Sequence, residues 1–290
     1  MTLSWTLRLL CLLLVVTGLS LALSQLALAL ASRSILRRLD SLTARWRERI
    51  LYLLQIGPAL FAAVVAAALC LPAYLRGETN VESERVGILF LLAAALTAFW
   101  FGQALLRGLR ITLRTLRFAR TCRRSGQRLQ HNSDIPLLAV PDSGPPVRLI
   151  GFLHPLILVS PSMSTLAPAA LDLAIAHERS HAAHRDNWKL LTLSFLPRPL
   201  PGGDPWNRPW HRAADWAADD DAVRGDSTRS LLLAETLITV ARAANSSRAP
   251  YICTALATAD AALAVRIDRL LHPRHDLRSS GSSLLIGLAV

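Results

Sequence analysis

The sequence predicts an α-helical membrane protein: three membrane-crossing helices near the N-terminus, then a mainly α, α+β domain with a small β-sheet. Three observations predict it. Leu9–Ala31, Ile50–Leu75 and Val86–Leu106 carry no charged residue, and each is long enough for a bilayer, which takes about 20 residues. Apolar residues make up 52% of the 290, too many for an ordinary soluble domain. From Asp134 onward the texture changes to short strand-like runs, followed by helical patterns that carry one H-E-x-x-H motif.

The first run is expected to be a span and not a signal peptide, because it is long and has no short apolar core with a processing site. The second contains Gly57 and Pro58, where a kink is expected. The third ends near Trp100, an interfacial aromatic. The net charge is +12, and Lys189 is the only lysine. The arginines flank the apolar runs: Arg33, Arg37, Arg38, Arg45, Arg47 and Arg49 after the first, and eight from Arg107 to Arg128 after the third. The connection between runs two and three is acidic, with Glu78, Glu82 and Glu84. The positive-inside rule then puts the N-terminus outside a bacterial-type cell membrane and everything after the third span in the cytoplasm. Arg107, Arg110, Arg114 and Arg117 recur at helical spacing, which suits a helix against anionic membrane lipid. Direct nucleic-acid binding is not expected, since the basic residues flank spans and no DNA-binding fold signal accompanies them. The four cysteines are scattered without a C-x-x-C pair and read as reduced.

The expected organisation is a transmembrane region 1–106, a basic helix or linker 107–133, a catalytic domain 134–275 and a tail 276–290. In the domain, Ile135–Val140, Val147–Ile150 and Pro155–Val159 read as strands around a Pro/Gly-rich turn. An edge strand here could take a peptide by strand addition. A helix follows, with Pro168 in its first turn and Ser164 or Thr165 as N-cap, expected to run through the motif to Phe195. His177 and His181 are one turn apart on one face, so both imidazoles can reach one Zn2+ ion. Glu178 is rotated about 100° from them, placed to take a proton from water at the metal. His184 lies about 10 Å along the axis from His177 and reads as a surface residue.

A Pro/Gly-rich loop, 197–209, precedes a helix ending at Gly225. On it Asp215 and Asp219 share a face. One could complete a metal site while the other accepts a hydrogen bond from a ligand histidine; the alternative is an acidic solvated helix. Two further helices are expected, Leu231–Ala244 capped by Ser227, and Ala255–Leu271. The apolar end, Leu284–Val290, is too short for a span.

The stretch RLIGFLHPLILVSP (Arg148 to Pro161), His177-Glu-Arg-Ser-His181 with Asp186 following, the E-x-x-A-D-x-x-A-like box from Asp215 to Ala222, and Arg266-Ile-Asp-Arg-Leu-Leu271 occur in that order. Together with the membrane layout they resemble the BlaR/MecR-type membrane zinc metallopeptidases, and more distantly the HtpX and CAAX prenyl protease group. The resemblance implies a zincin-like (gluzincin) domain. It implies zinc on His177, His181 and the box residue Asp215, Glu178 as general base, and Asp219 at the aspartate of the box. It departs at Asp215, where the family has glutamate, one methylene longer. It also departs in having neither the fourth span nor the extracellular penicillin-binding sensor domain of sensor members. The expected function is therefore a membrane-embedded zinc metalloendopeptidase acting on a cytoplasmic protein substrate, by analogy a transcriptional repressor. The alternative is a catalytically silent membrane scaffold that retains the fold.

Overall fold

The computed structural model describes residues 4–77, 86–131, 133–140, 146–161, 163, 166–198, 204–243, 252–255 and 260–272. The acidic connection 78–85 and the tail from 273 onward lie outside them, as do Ser164 and Thr165. Among the described residues, three helices are long and apolar enough to cross a membrane. They are α1 (Trp5–Leu39), the run from Ala44 to Gly77, and α4 (Ile88–Ser125). The second run comprises α2 (Ala44–Val64), a π-helical turn (Val65–Cys70) and α3 (Leu71–Gly77). Pro58 sits inside α2, and the π turn begins seven residues later.

The chain divides into two compact units. One comprises residues 1–36, 50–110 and 191–209. Within it Trp5 packs on Tyr74 with ring centroids 5.2 Å apart. Gly18 lets Thr97 approach so closely that a Cβ there would lie 2.3 Å from Thr97 Oγ1, the small-residue contact that membrane helices favour. Arg107 donates to the carbonyls of Ser194 and Leu196. The first of the helically spaced arginines thus satisfies carbonyls at a helix C-terminus, as basic side chains there can.

The other unit comprises residues 37–49, 111–190 and 210–290. Its sheet has the order β1-β2-β4-β3-β5: β1 (Gln127–Leu129), β2 (Leu137–Ala139), β3 (Val147–Ile150), β4 (Leu156–Val159) and β5 (Cys253–Ala255). β2 and β4 are parallel and the other pairs antiparallel. The three expected strands are all interior, so the sheet's edges are β1 and β5. Alternation along the strands buries both faces. Val147, Leu149, Ile157 and Val159 pack with Leu173 and Ala174 of α5 (Pro168–Ala183), and with Leu237 and Val240 of α8 (Ser227–Ala243). Leu138, Ile150, Leu156 and Leu158 pack with Ala119 and Cys122 of α4. The last turns of the basic helix are therefore a lid on the sheet.

Four expectations are corrected. The N-cap of α5 is Ala167, with no side-chain cap bond. α5 does not run on to Phe195: it stops at Ala183, Arg185 takes the left-handed conformation (φ 56°), and α6 (Asp186–Phe195) starts anew. Asp226 and not Ser227 caps α8, its Oδ1 accepting from the Thr228 and Arg229 amides at 2.8 and 3.2 Å. The expected helix from Ala255 is instead β5 followed, after 256–259, by α9 (Asp260–Leu271). α7 spans Asn207–Val223 and ends at Arg224 and Gly225, both with positive φ.

Candidate metal centre

The two motif histidines come from the second half of α5, His181 in its last turn, and the helix packs Leu173 and Ala174 toward the sheet. Burial is complete: His177 and Glu178 are 0% exposed and His181 1%. His177 Nε2 and His181 Nε2 lie 3.2 Å apart. Asp215 of α7 brings Oδ1 to 3.7 Å from His181 Nε2. His177, His181 and Asp215 form a group whose ligand atoms all lie within 4.8 Å of one another, able to hold a metal ion. Atoms sharing a tetrahedral zinc would be separated by about 3.3 Å, given metal–ligand bonds of about 2.0–2.1 Å.

The outer nitrogens explain why the inner ones face each other. His177 Nδ1 is 2.9 Å from Asp219 Oδ1. Arg266 of α9 grips the same carboxylate with Nε at 2.9 Å and Nη2 at 2.6 Å. His181 Nδ1 is 2.7 Å from Asp186 Oδ2, and Lys189 Nζ donates to Asp186 Oδ1 at 2.7 Å. Burial alone would raise both aspartates, but the cations outweigh it. Arg266 and His177 hold Asp219 far below the usual carboxylate range. His181 and Lys189 hold Asp186 at about 2. Ionised carboxylates only accept, so His181 donates Nδ1–H to Asp186 and turns a bare Nε2 lone pair inward. His177 Nδ1 lies against Asp219 without an aligned hydrogen bond, and the negative charge there favours the same tautomer. Two buried lone pairs 3.2 Å apart repel unless a cation or a proton lies between them.

Glu178 is set by the sheet. Its Oε2 accepts from the Leu149 amide at 2.9 Å and from Thr254 Oγ1 at 3.3 Å. Burial pushes its carboxyl up to about 7. Burial likewise pushes Asp215 up to about 6 and His177 down to about 4. For His181, burial opposes protonation but the bond to Asp186 outweighs it, and its pKa is raised.

The aspartate run on α7 is divided: Asp215 and Asp219 are buried, while Asp220 and Asp221 are exposed on its outer side. Asp219 pairs with Arg266, Asp220 with Arg269 at 2.7 Å, and Asp221 with Arg45 at 2.6 Å. His184 is outside the metal group: its Nδ1 contacts the Ser180 carbonyl at 2.8 Å. His211, one turn before Asp215, is exposed against the Trp210 ring. Sequence reasoning missed Asp186, Lys189 and Arg266 as partners of the site residues. Two carried a usable signal: Asp186 follows the motif closely, and Lys189 is the chain's only lysine. Compared with known proteins, the chain matches no family model and no curated protein, so its family likeness rests on its motifs.

Proposed function

We propose that this chain is a multi-pass membrane zinc metalloendopeptidase of zincin-like fold, with its catalytic unit on the cytoplasmic side. The observation that carries the reading is the pair of inward Nε2 atoms, 3.2 Å apart, each with a carboxylate beside its Nδ1 at 2.7–2.9 Å. A nitrogen–nitrogen–carboxylate donor set on His177, His181 and Asp215 suits Zn2+, and three protein ligands are what a catalytic zinc site uses. A bound zinc would supply Lewis-acid activation of water and of the peptide carbonyl.

The chain's own residues supply the proton handling. Glu178 Oε2 is anchored by the Leu149 amide and Thr254 hydroxyl, which leaves Oε1 to take the attacking water's proton and return it to the departing amine. A carboxyl pushed up to about 7 can do both near neutral pH. The arginine-rich flanks of the three apolar helices support a cytoplasmic catalytic unit, and hence a cytoplasmic protein substrate. A transcriptional repressor fits the motif resemblance.

The test is Glu178→Gln, assayed on an unfolded reporter protein with the full chain in detergent. The variant is expected to keep zinc and lose chelator-sensitive cleavage, because the amide fills the space but cannot accept the proton. Cleavage at the parent's rate removes Glu178 from the mechanism. A parent that binds no zinc and cleaves nothing selects the silent-scaffold reading.

A further inference from the structure

The connection between the first two apolar helices reads in sequence as a basic topology signal. In the structure, residues 37–49 belong to the same compact unit as the metal group. Glu48 is 0% exposed, and its Oε1 accepts from Lys189 Nζ at 2.9 Å and from Trp210 Nε1 at 3.0 Å. Lys189 holds Asp186, and Asp186 holds His181. An unbroken chain of side chains therefore runs from Glu48 to Nδ1 of His181, whose Nε2 faces the metal group.

Its neighbours make parallel contacts. Arg45 bonds Asp221 at 2.6 Å and reaches Ser180 Oγ at 3.3 Å, linking α7 to the residue before His181. Arg47 lies over the Trp216 ring at 5.5 Å, beside Asp215. This one short segment touches α5, α6 and α7, the helices that carry both histidines, Asp186 and Asp215.

We infer that Glu48 is a positioning residue for the metal ligand His181, acting through Lys189 and Asp186, and that the connection between the first two apolar helices is a built part of the metal centre. The inference rests on the metal reading above. Physically, Asp186 is aimed from both sides: one oxygen meets His181 Nδ1 at 2.7 Å and the other accepts from Lys189 Nζ at 2.7 Å. A fully buried carboxylate is a strong reason for a lysine to stay. The connection also ties α5 to α7 through Arg45.

The test measures zinc affinity by chelator competition, and the visible spectrum of the cobalt-substituted protein, on the full chain in detergent. The variants are Glu48→Gln, Lys189→Met, Lys189→Arg and the Glu48→Gln/Lys189→Met double. Losing a direct partner of a ligand typically costs about 10–100-fold in affinity. Lys189→Met and Glu48→Gln, one and two steps further out, are each expected to weaken zinc about 3–10-fold and to shift the cobalt bands. Lys189→Arg keeps the charge and should bind nearly as the parent does. The double variant should lose no more than the worse single, since the residues act in series. A merely structural role would lower the melting temperature and leave the cobalt spectrum of the folded fraction unchanged. Parent-like affinity and spectrum in Glu48→Gln and Lys189→Met, or additive losses in the double, overturn the proposal. A parent that binds no zinc fails at the first measurement, so loss of the metal reading is distinguishable from loss of this one.

Discussion

Arg266→Met is the sharpest test of how the centre is held. Arg266 and Asp219 are each 1% exposed, joined by two hydrogen bonds of 2.9 and 2.6 Å. Methionine keeps most of the volume and removes the charge. Asp219 is then left in the interior without its cation, and must either stay charged there or take up a proton, each at a cost in stability. Removing one partner of a buried pair typically costs about 3–5 kcal/mol. At roughly 2–4 °C per kcal/mol for a domain of 150–250 residues, melting should fall by about 6–20 °C. The assay is thermal unfolding of the metal-free protein in detergent, followed by tryptophan fluorescence. Arg266→Met/Asp219→Asn should recover much of the loss, because no uncompensated charge remains. A fall below about 3 °C, or a double variant less stable than the single, would refute the claim that this ion pair anchors the site.

Two other outcomes follow from the same geometry. Folding raises the Glu178 carboxyl to about 7 from its ordinary 4.5, so below 4.5 it is protonated in both states and costs nothing. Between 4.5 and 7 the unfolded chain ionises first, so this group lowers stability as pH rises. Metal-free Glu178→Gln should therefore be about as stable as the parent near pH 4 and more stable above pH 7, by up to roughly 3 kcal/mol; a pH-independent difference in denaturant midpoints would contradict the burial argument. For topology, a reporter fused after Arg128 should report cytoplasm and one inserted near Asn80 the outside, and an external signal from the Arg128 fusion overturns the proposed orientation.

Much of this architecture was legible because single residues decide it. Uncharged runs longer than a bilayer needs mark the apolar helices, and short apolar runs between Pro and Gly mark β2, β3 and β4. The motif spacing alone puts His177 and His181 together. Other features carry no local signature. β1 and β5 are three residues long and show no alternation to read. The break after Ala183 has neither Gly nor Pro, because Arg185 itself takes the left-handed turn. That break is what returns Asp186 to His181. Arg266 meets Asp219 across 47 positions and Glu48 meets Lys189 across 141, pairings that only tertiary packing brings about. The charge pattern of residues 37–49 suggested membrane orientation alone, and their contacts with α5, α6 and α7 had no sequence cue beyond a carboxylate among arginines.

The central claim is that His177, His181 and Asp215 hold zinc, and zinc per protein by elemental analysis tests it most directly. The full chain is dialysed against a weak chelator, beside Asp215→Ala, Asp219→Ala, Asp220→Ala and Asp221→Ala. The account predicts about one zinc per parent chain and a sharp loss in Asp215→Ala, where only two protein ligands remain. Asp219→Ala should show an intermediate loss of about 10–100-fold in affinity. Asp220→Ala should keep nearly full occupancy, because that carboxylate serves Arg269, and Asp221→Ala, which frees Arg45 and Ser180, should lose less than Asp219→Ala. A parent without zinc, or an Asp215→Ala variant that retains it while Asp220→Ala or Asp221→Ala loses it, would contradict the account.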